Sequence, residues 1–137
     1  MSSKLFDTSC LGGVVLKNRF VRSATWEGMA YDDGSCTPAL VDVINGLTKG
    51  EVGLIISSHT FVSPEGQAGP RQLAVYDDRF IGGLSEMAKA AHDGGSRIVL
   101  QLAHAGVQAD THRLLSKLRP SMARQRAYWE PAAFDCG

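Results

Sequence analysis

Two apolar runs of strand length limit most strongly what this chain can fold into. They are "VGLIISS" (52–58) and "RIVLQLA" (97–103), and both turn polar or small at their ends. Short apolar runs of this kind suit strands buried on both faces, as in a parallel sheet covered by helices. Between them lies "YDDRFIGGLSEMAKAAHDGG" (76–95), with Phe80, Leu84, Met87 and Ala91 at three- or four-residue steps and Gly94-Gly95 as a stop. That spacing predicts a helix with one apolar face. Strand, helix and strand in this order imply a right-handed parallel crossover.

The upstream half repeats the pattern. "YDDGSCTP" (31–38) is turn chemistry, and Thr37-Pro38 opens a helix with a cap residue followed by proline at the first helical position. Leu40, Ile44 and Leu47 recur at helical spacing, and Gly50 closes the element. Before it, "GGVVLKNRFVRSAT" (12–25) is rich in β-branched residues and broken at Lys17-Asn18. It predicts a short strand, a turn, and a second strand "RFVRSA" that ends in a Ser/Thr cluster. "PEGQAGPRQ" (64–72) is expected to be a loop. The fold class is therefore α/β: an N-terminal hairpin, then strand, helix, strand, helix, strand.

An open Rossmann-like sheet and a closed (β/α)8 TIM barrel both satisfy that order. A GxGxxG turn after the first strand would favour dinucleotide binding on the open sheet, and "SATWEG" stands there instead. Each strand ends in polar or small residues: Ser23-Ala24-Thr25, Ser57-Ser58-His59, and Gln101 through His104. In a barrel those ends form the active-site face. The barrel explains the pattern better. A full barrel takes about 250 residues, so 137 residues with three such strands predict an incomplete one.

Charge excludes some partners. The chain has 14 basic and 14 acidic residues, which favours neither nucleic acid nor a membrane surface. The balance hides a shift: residues 1–110 carry a net of −3 and residues 111–137 a net of +3. Cys10, Cys36 and Cys136 are odd in number and widely spaced, with no CxxC pair for a metal. The expectation is reduced thiols, packed as small apolar groups, in a cytoplasmic protein. No secretory apolar region opens the chain, and no run approaches the roughly 20 apolar residues of a membrane span. The opening "MSSKLFD" reads as a natural start.

Four phrases in register, "LKNRFVRSATWEGMA" (16–30), "KGEVGLIISSHTFVSPEGQ" (49–67), "YDDRFIGGLSEMAKAAHDGGSRIVLQLAHAG" (76–106) and the opening "LFD" with its hairpin, resemble the old yellow enzyme family of FMN-dependent oxidoreductases. The resemblance covers about Leu5 to Asp110. It implies a (β/α)8 barrel whose bottom is closed by the hairpin and whose top carries FMN. It also implies a reaction in which NADH or NADPH reduces the flavin. The flavin then reduces an activated C=C bond of a small unsaturated substrate, an enone or enoyl thioester. The protein's share in such a reaction is binding, orientation and electrostatics.

Carried over position by position, the resemblance puts Ser23, Ala24 and Thr25 along the flavin. The residue that hydrogen-bonds the ring in many relatives, a Thr or Cys, falls at Trp26, with Thr25 one place before it; either Thr25 substitutes or the bond is missing. His59 falls where many members have a small residue against the flavin, and an imidazole there either donates to the ring or phosphate side or narrows the pocket. Gln101 matches a glutamine whose amide pairs with the pyrimidine edge of the ring, one donor and one acceptor against an edge that shows both. No catalytic residue and no metal ligand is assigned.

Plainer readings stand beside these. Gln101 taken alone is a polar residue satisfied within a sheet, His59 an ordinary loop hydrogen-bonder, and Trp26 packing under the first loop. His104 in "HAG" reads as structural, and Glu27 as solvated. Arg22 sits inside an apolar strand and needs a partner if buried. Residues 111–137, "THRLLSKLRPSMARQRAYWEPAAFDCG", show no strand pattern and are expected to be an irregular, out-of-family tail. The family's substrate-anchoring His-His or His-Asn pair, its Tyr proton donor, its flavin-facing Arg and its phosphate loops have no counterpart here. The expectation is a truncated form, either an oxidoreductase by inheritance or an inactive fragment that works only by associating with another chain. Open sheet edges would then favour homo-oligomers or aggregation.

Overall fold

The computed structural model describes residues 4–109. Strands β1 (Ser9–Leu11) and β2 (Val14–Leu16) form an antiparallel hairpin. Its turn is Gly12-Gly13, with φ of +55° and +84°. Two consecutive left-handed residues are what a two-residue hairpin turn demands, and glycine supplies them without strain. The expected break at Lys17-Asn18 is real but is not the hairpin turn. It leads the chain from the hairpin into the sheet. Asn18 is buried there because its amide donates to the Glu51 carbonyl (2.6 Å) while its Oδ1 accepts from the Phe20 N–H (3.1 Å).

A strand β3 (Val21–Arg22), helix α1 (Pro38–Lys49), strand β4 (Leu54–Phe61), helix α2 (Ile81–Asp93) and strand β5 (Arg97–Ala103) follow. β3, β4 and β5 are parallel and lie side by side in chain order. Helix α1 begins as its sequence requires: the Thr37 Oγ1 accepts from the Leu40 N–H (3.4 Å) and donates to the Met29 carbonyl (2.6 Å), with Pro38 at the first position. Leu40 and Ile44 of α1 meet Met87, Ala90 and Ala91 of α2 over Ile55, which is 0% exposed, and Ile98 and Leu100 pack against the same cluster. One face of the sheet is thereby covered.

The sheet departs from the sequence expectation at three places. "RFVRSA" was expected to be a strand, yet pairing stops at Arg22, so Ser23 and Ala24 lie in irregular backbone. β4 runs further than "VGLIISS", through Ser57, Ser58, His59 and Thr60 to Phe61. Its far end outlasts β3, whose last partner is Ile55. The loop after β4 folds back to fill the gap. Phe61 donates to the Leu73 carbonyl (2.9 Å), Val75 donates to the Phe61 carbonyl (3.1 Å), and Phe61 and Ala74 form a parallel bridge. Thus "PEGQAGPRQ" is a loop, but Gln67 and Gln72 are buried in it.

The third departure concerns β5, expected to be buried on both faces. Val99 is 50% and Leu102 63% exposed. β4 lies along one edge of β5 and α2 over one face, and no other described element packs substantially against it. No helix among the described residues is long and apolar enough to cross a membrane. The expected tail, residues 111–137, lies outside the described residues.

Candidate functional site

The carboxyl ends of the three parallel strands form one rim, and an irregularity in β4 decides what it displays. Ile56 is in register with Val99 and His59 with Gln101, so β4 spends one more residue than β5 over this stretch. That is a β-bulge at Ser57-Ser58. The buried Ser57 hydroxyl accepts the Gln101 N–H (3.1 Å) and donates to the Ser58 carbonyl (2.8 Å), which satisfies the backbone where the ladder is interrupted. Register partners on neighbouring parallel strands share a face. His59 and Gln101 are therefore neighbours on the rim.

Gln101 is exposed, and its side-chain amide has no hydrogen-bond partner among the described residues. His59 is half-buried, and its carbonyl accepts from the Gln72 amide (3.1 Å). Gln72 is 1% exposed and also accepts the Ala68 N–H (2.7 Å), so one buried side chain fastens the returning loop to the rim. Nothing in the Gly- and Pro-rich "GQAGPRQ" distinguishes Gln72 from a solvated loop residue.

Trp26 completes a group of three. Its ring stands edge-on to His59, centroids 6.0 Å apart and planes at 63°. A Cβ on Gly69 would lie 3.1 Å from the indole, so the glycine leaves room for it. Trp26 is half-exposed but held in place. Ser23, Ala24 and Thr25 lead into it; the Thr25 hydroxyl donates to the Ser23 carbonyl (3.3 Å), and no hydrogen bond to His59 or Gln101 is seen for any of the three among the described residues. The rim thus gathers Trp26, His59 and Gln101, with the 23–25 segment alongside.

Beneath that segment lies an ion pair. The Arg22 guanidinium donates to the Ile56 carbonyl (3.1 Å), the Thr25 carbonyl (3.5 Å) and the Glu27 carboxylate. Glu27, expected to be solvated, is only 10% exposed at its side chain, because Arg22 needs a counter-charge where it is itself 16% exposed. The strand ends here because Arg22 and Glu27 draw the chain into a loop.

His104 acts on the exit of β5. Its Nδ1 accepts the Gly106 N–H (3.0 Å), and its ring occupies the space over Gly66, where a Cβ would sit 2.5 Å away. The Ala105 N–H donates to the Gly66 carbonyl (2.9 Å), which clips the two rim loops together. Burial, reinforced by the charge of Glu86, pushes the Cys36 thiol up to about 11, which leaves little thiolate near neutral pH.

Chemically, the rim offers a free amide with one donor and one acceptor, beside an imidazole and an indole that make an aromatic wall. That set suits the edge of a planar heterocycle carrying donors and acceptors.

The NADH:flavin oxidoreductase / NADH oxidase family model matches residues 4–129, which carries the match past Asp110. The NADPH dehydrogenase of Halalkalibacterium halodurans is 37% identical over 80% of this chain and 33% of its own length. The NADH oxidase of Thermoanaerobacter brockii is 36% identical over 76% of this chain and 16% of its own. Among solved structures, the old yellow enzyme from Pichia sp. AKU4542 superposes with a TM-score of 0.78 at 26% identity, over 84% of this chain and 30% of that one. Morphinone reductase in complex with tetrahydroNAD gives 0.71 at 26%, over 79% and 29%. The chain spans about a third, or less, of the length of these relatives. The strand-end rim, the register of its four sequence phrases and the family match lead to one conclusion: the chain belongs to the NADH:flavin oxidoreductase / NADH oxidase family.

Proposed function

We propose that the rim of Ser23, Ala24, Thr25, Trp26, His59 and Gln101 is the FMN-facing surface that this chain contributes to an NAD(P)H-dependent oxidoreductase of the ene-reductase type. The observation that carries the reading is the bulge at Ser57-Ser58. It sets His59 beside Gln101 and leaves the Gln101 amide exposed, without a protein partner among the described residues. Bound FMN would supply the redox chemistry, taking a hydride from NADH or NADPH and giving it to the activated C=C bond of an enone or enoyl substrate. Gln101 orients the ring through its donor–acceptor pair, and its own backbone is fixed by Ser57. Trp26 and His59 wall one side and exclude water, and the 23–25 segment offers small groups that let a flat ring approach. The NADPH dehydrogenase, NADH oxidase and morphinone reductase relatives support the choice of reductant.

Flavin titration tests it. Quenching of FMN fluorescence by the full chain is expected to saturate, and Gln101→Ala to weaken it. Loss of the donor–acceptor pair, two hydrogen bonds worth about 0.5–1.5 kcal/mol each, corresponds to roughly a 5- to 160-fold rise in Kd. Superimposable curves would remove Gln101 from the site, and absence of quenching by the unaltered chain would refute the reading.

The exposure of Val99 and Leu102 on β5 favours a second reading, in which the chain is inactive alone and works only in association with another. Light scattering on the purified chain separates the two: a colourless oligomer supports association, and a yellow monomer excludes it.

A further inference from the structure

Arg22 and Glu27 form the least exposed ion pair among the described residues, with side chains 16% and 10% exposed, against 24% and 68% for Lys17–Glu51 and 74% and 63% for Lys89–Asp93. Withdrawing two charges from water is costly, and an apolar pair of similar volume often stabilises a fold as well or better. Stability alone therefore explains this pair poorly. What it does uniquely is geometric. One guanidinium holds the carbonyl of Ile56, the residue of β4 just before the bulge, together with the carbonyl of Thr25 and the carboxylate of Glu27, which flank Trp26 in sequence. A rigid planar fork with five donors holds three acceptors that lie apart in fixed directions, whereas an ammonium is a compact point charge on a flexible stem and an apolar side chain has no donor.

We propose that Arg22 and Glu27 are positioning residues: their pair pins the 23–27 loop to β4, and so holds Trp26 against His59 in the arrangement that receives the ligand. The nature of that ligand rests on the flavin reading above, but the pinning does not.

The test is the double variant Arg22→Met/Glu27→Leu of the full chain, made in a Trp129→Phe background so that Trp26 is the only tryptophan. Replacing both partners leaves no uncompensated charge, so a thermal midpoint equal to or above that of the background protein is expected. Trp26 emission should shift to the red, and its acrylamide quenching constant should rise about two-fold as the indole leaves His59 and Gly69. FMN affinity should fall about ten-fold or more. A folded double variant with unchanged Trp26 quenching overturns the proposal, as does one in which Trp26 moves but FMN affinity holds. Failure of the double variant to fold would show the pair to be a stability element and would also overturn it. If the background protein itself binds no FMN, the flavin reading falls, and the tryptophan measurement alone decides the pinning.

Discussion

Gln72→Leu removes the hydrogen bond to the His59 carbonyl that fastens the returning loop to the rim, and the one from the Ala68 N–H that braces the loop itself, while keeping the volume of the side chain roughly constant. The glutamine is 1% exposed, so neither lost partner is replaced by water at the side chain itself. An unsatisfied buried polar group costs about 1–3 kcal/mol. The Ala68 N–H belongs to an exposed residue and can turn outward, whereas the His59 carbonyl lies under the loop on the side of β4 that β3 no longer reaches. The first loss falls at the low end and the second nearer the middle, which gives about 2–3 kcal/mol in total. For a domain of about 100 residues, each kcal/mol moves the melting point by roughly 4–8 °C, so a drop on the order of 10–20 °C is expected. Far-UV circular dichroism during heating measures it, and hydrogen exchange at the Phe61 and Ala68 amides shows whether the loop opens first. Gln72→Glu is the control. It keeps an acceptor for the Ala68 N–H but sets a carboxylate oxygen against the His59 carbonyl, and it should recover part of the loss at low pH, where a protonated carboxyl can donate. A drop in stability below about 0.5 kcal/mol for Gln72→Leu, with unchanged exchange, would refute the claim that this side chain substitutes for a missing strand partner.

Glycines give a paired test: Gly94→Ala should cost about 1–3 kcal/mol, because its Cβ would lie 2.4 Å from the Thr48 Cβ, whereas Gly46→Ala, with nothing within 4 Å in mid-helix α1, should gain about 0.5–1 kcal/mol by urea denaturation. Ile55→Ala, at the 0% exposed centre of the sheet–helix interface, should cost about 2–5 kcal/mol in the same assay. In a Cys136→Ser background at pH 8, a thiol reagent should label the exposed Cys10 quickly and Cys36 slowly. Because folding raises the Cys36 thiol from 9.0 to about 11, its contribution to stability is whole below pH 9 and lost as pH rises through 11, and Cys36→Ser should flatten that part of the stability–pH curve.

Legibility in the sequence followed the periodic signals. Helix α1, with Thr37 as its cap and Pro38 at its start, lies where "TPALVDVINGLTKG" puts it, and β5 has the bounds of "RIVLQLA". β4 extends three residues past "VGLIISS", where the polar His59 and Thr60 after Ser57-Ser58 look like a strand giving way to a loop. His59 and Thr60 are paired with β5, and the Ser57 and Thr60 hydroxyls bond to backbone groups around the bulge. The opposite error arose at "RFVRSA", where β-branched content suggests a strand that Arg22 and Glu27 interrupt. At the candidate site, the family phrases single out Gln101, His59 and Trp26, which the fold brings to one rim. Gln72 and the Arg22–Glu27 pair are not legible in this way, since buried polar partners leave no periodicity and depend on contacts between distant segments. The exposure of Val99 and Leu102 was hidden for a related reason: hydropathy reports what a strand is made to touch, and not what stands beside it in one chain.

The extra residue at Ser57-Ser58 works as a phase shifter. Counting along an uninterrupted ladder from Ile56 and Val99 would put Ser58 opposite Gln101 and turn the imidazole towards the side of Leu102. Which group meets a ligand is thus fixed by a tally of residues as much as by their chemistry. A single-residue deletion at Ser57 or Ser58 should keep the His59–Gln101 partnership while straightening the strand, whereas an insertion there should exchange the two sides. Any comparison of this strand with a relative that lacks the kink must therefore change its numbering by one partway along, or it will set the wrong side chains against each other.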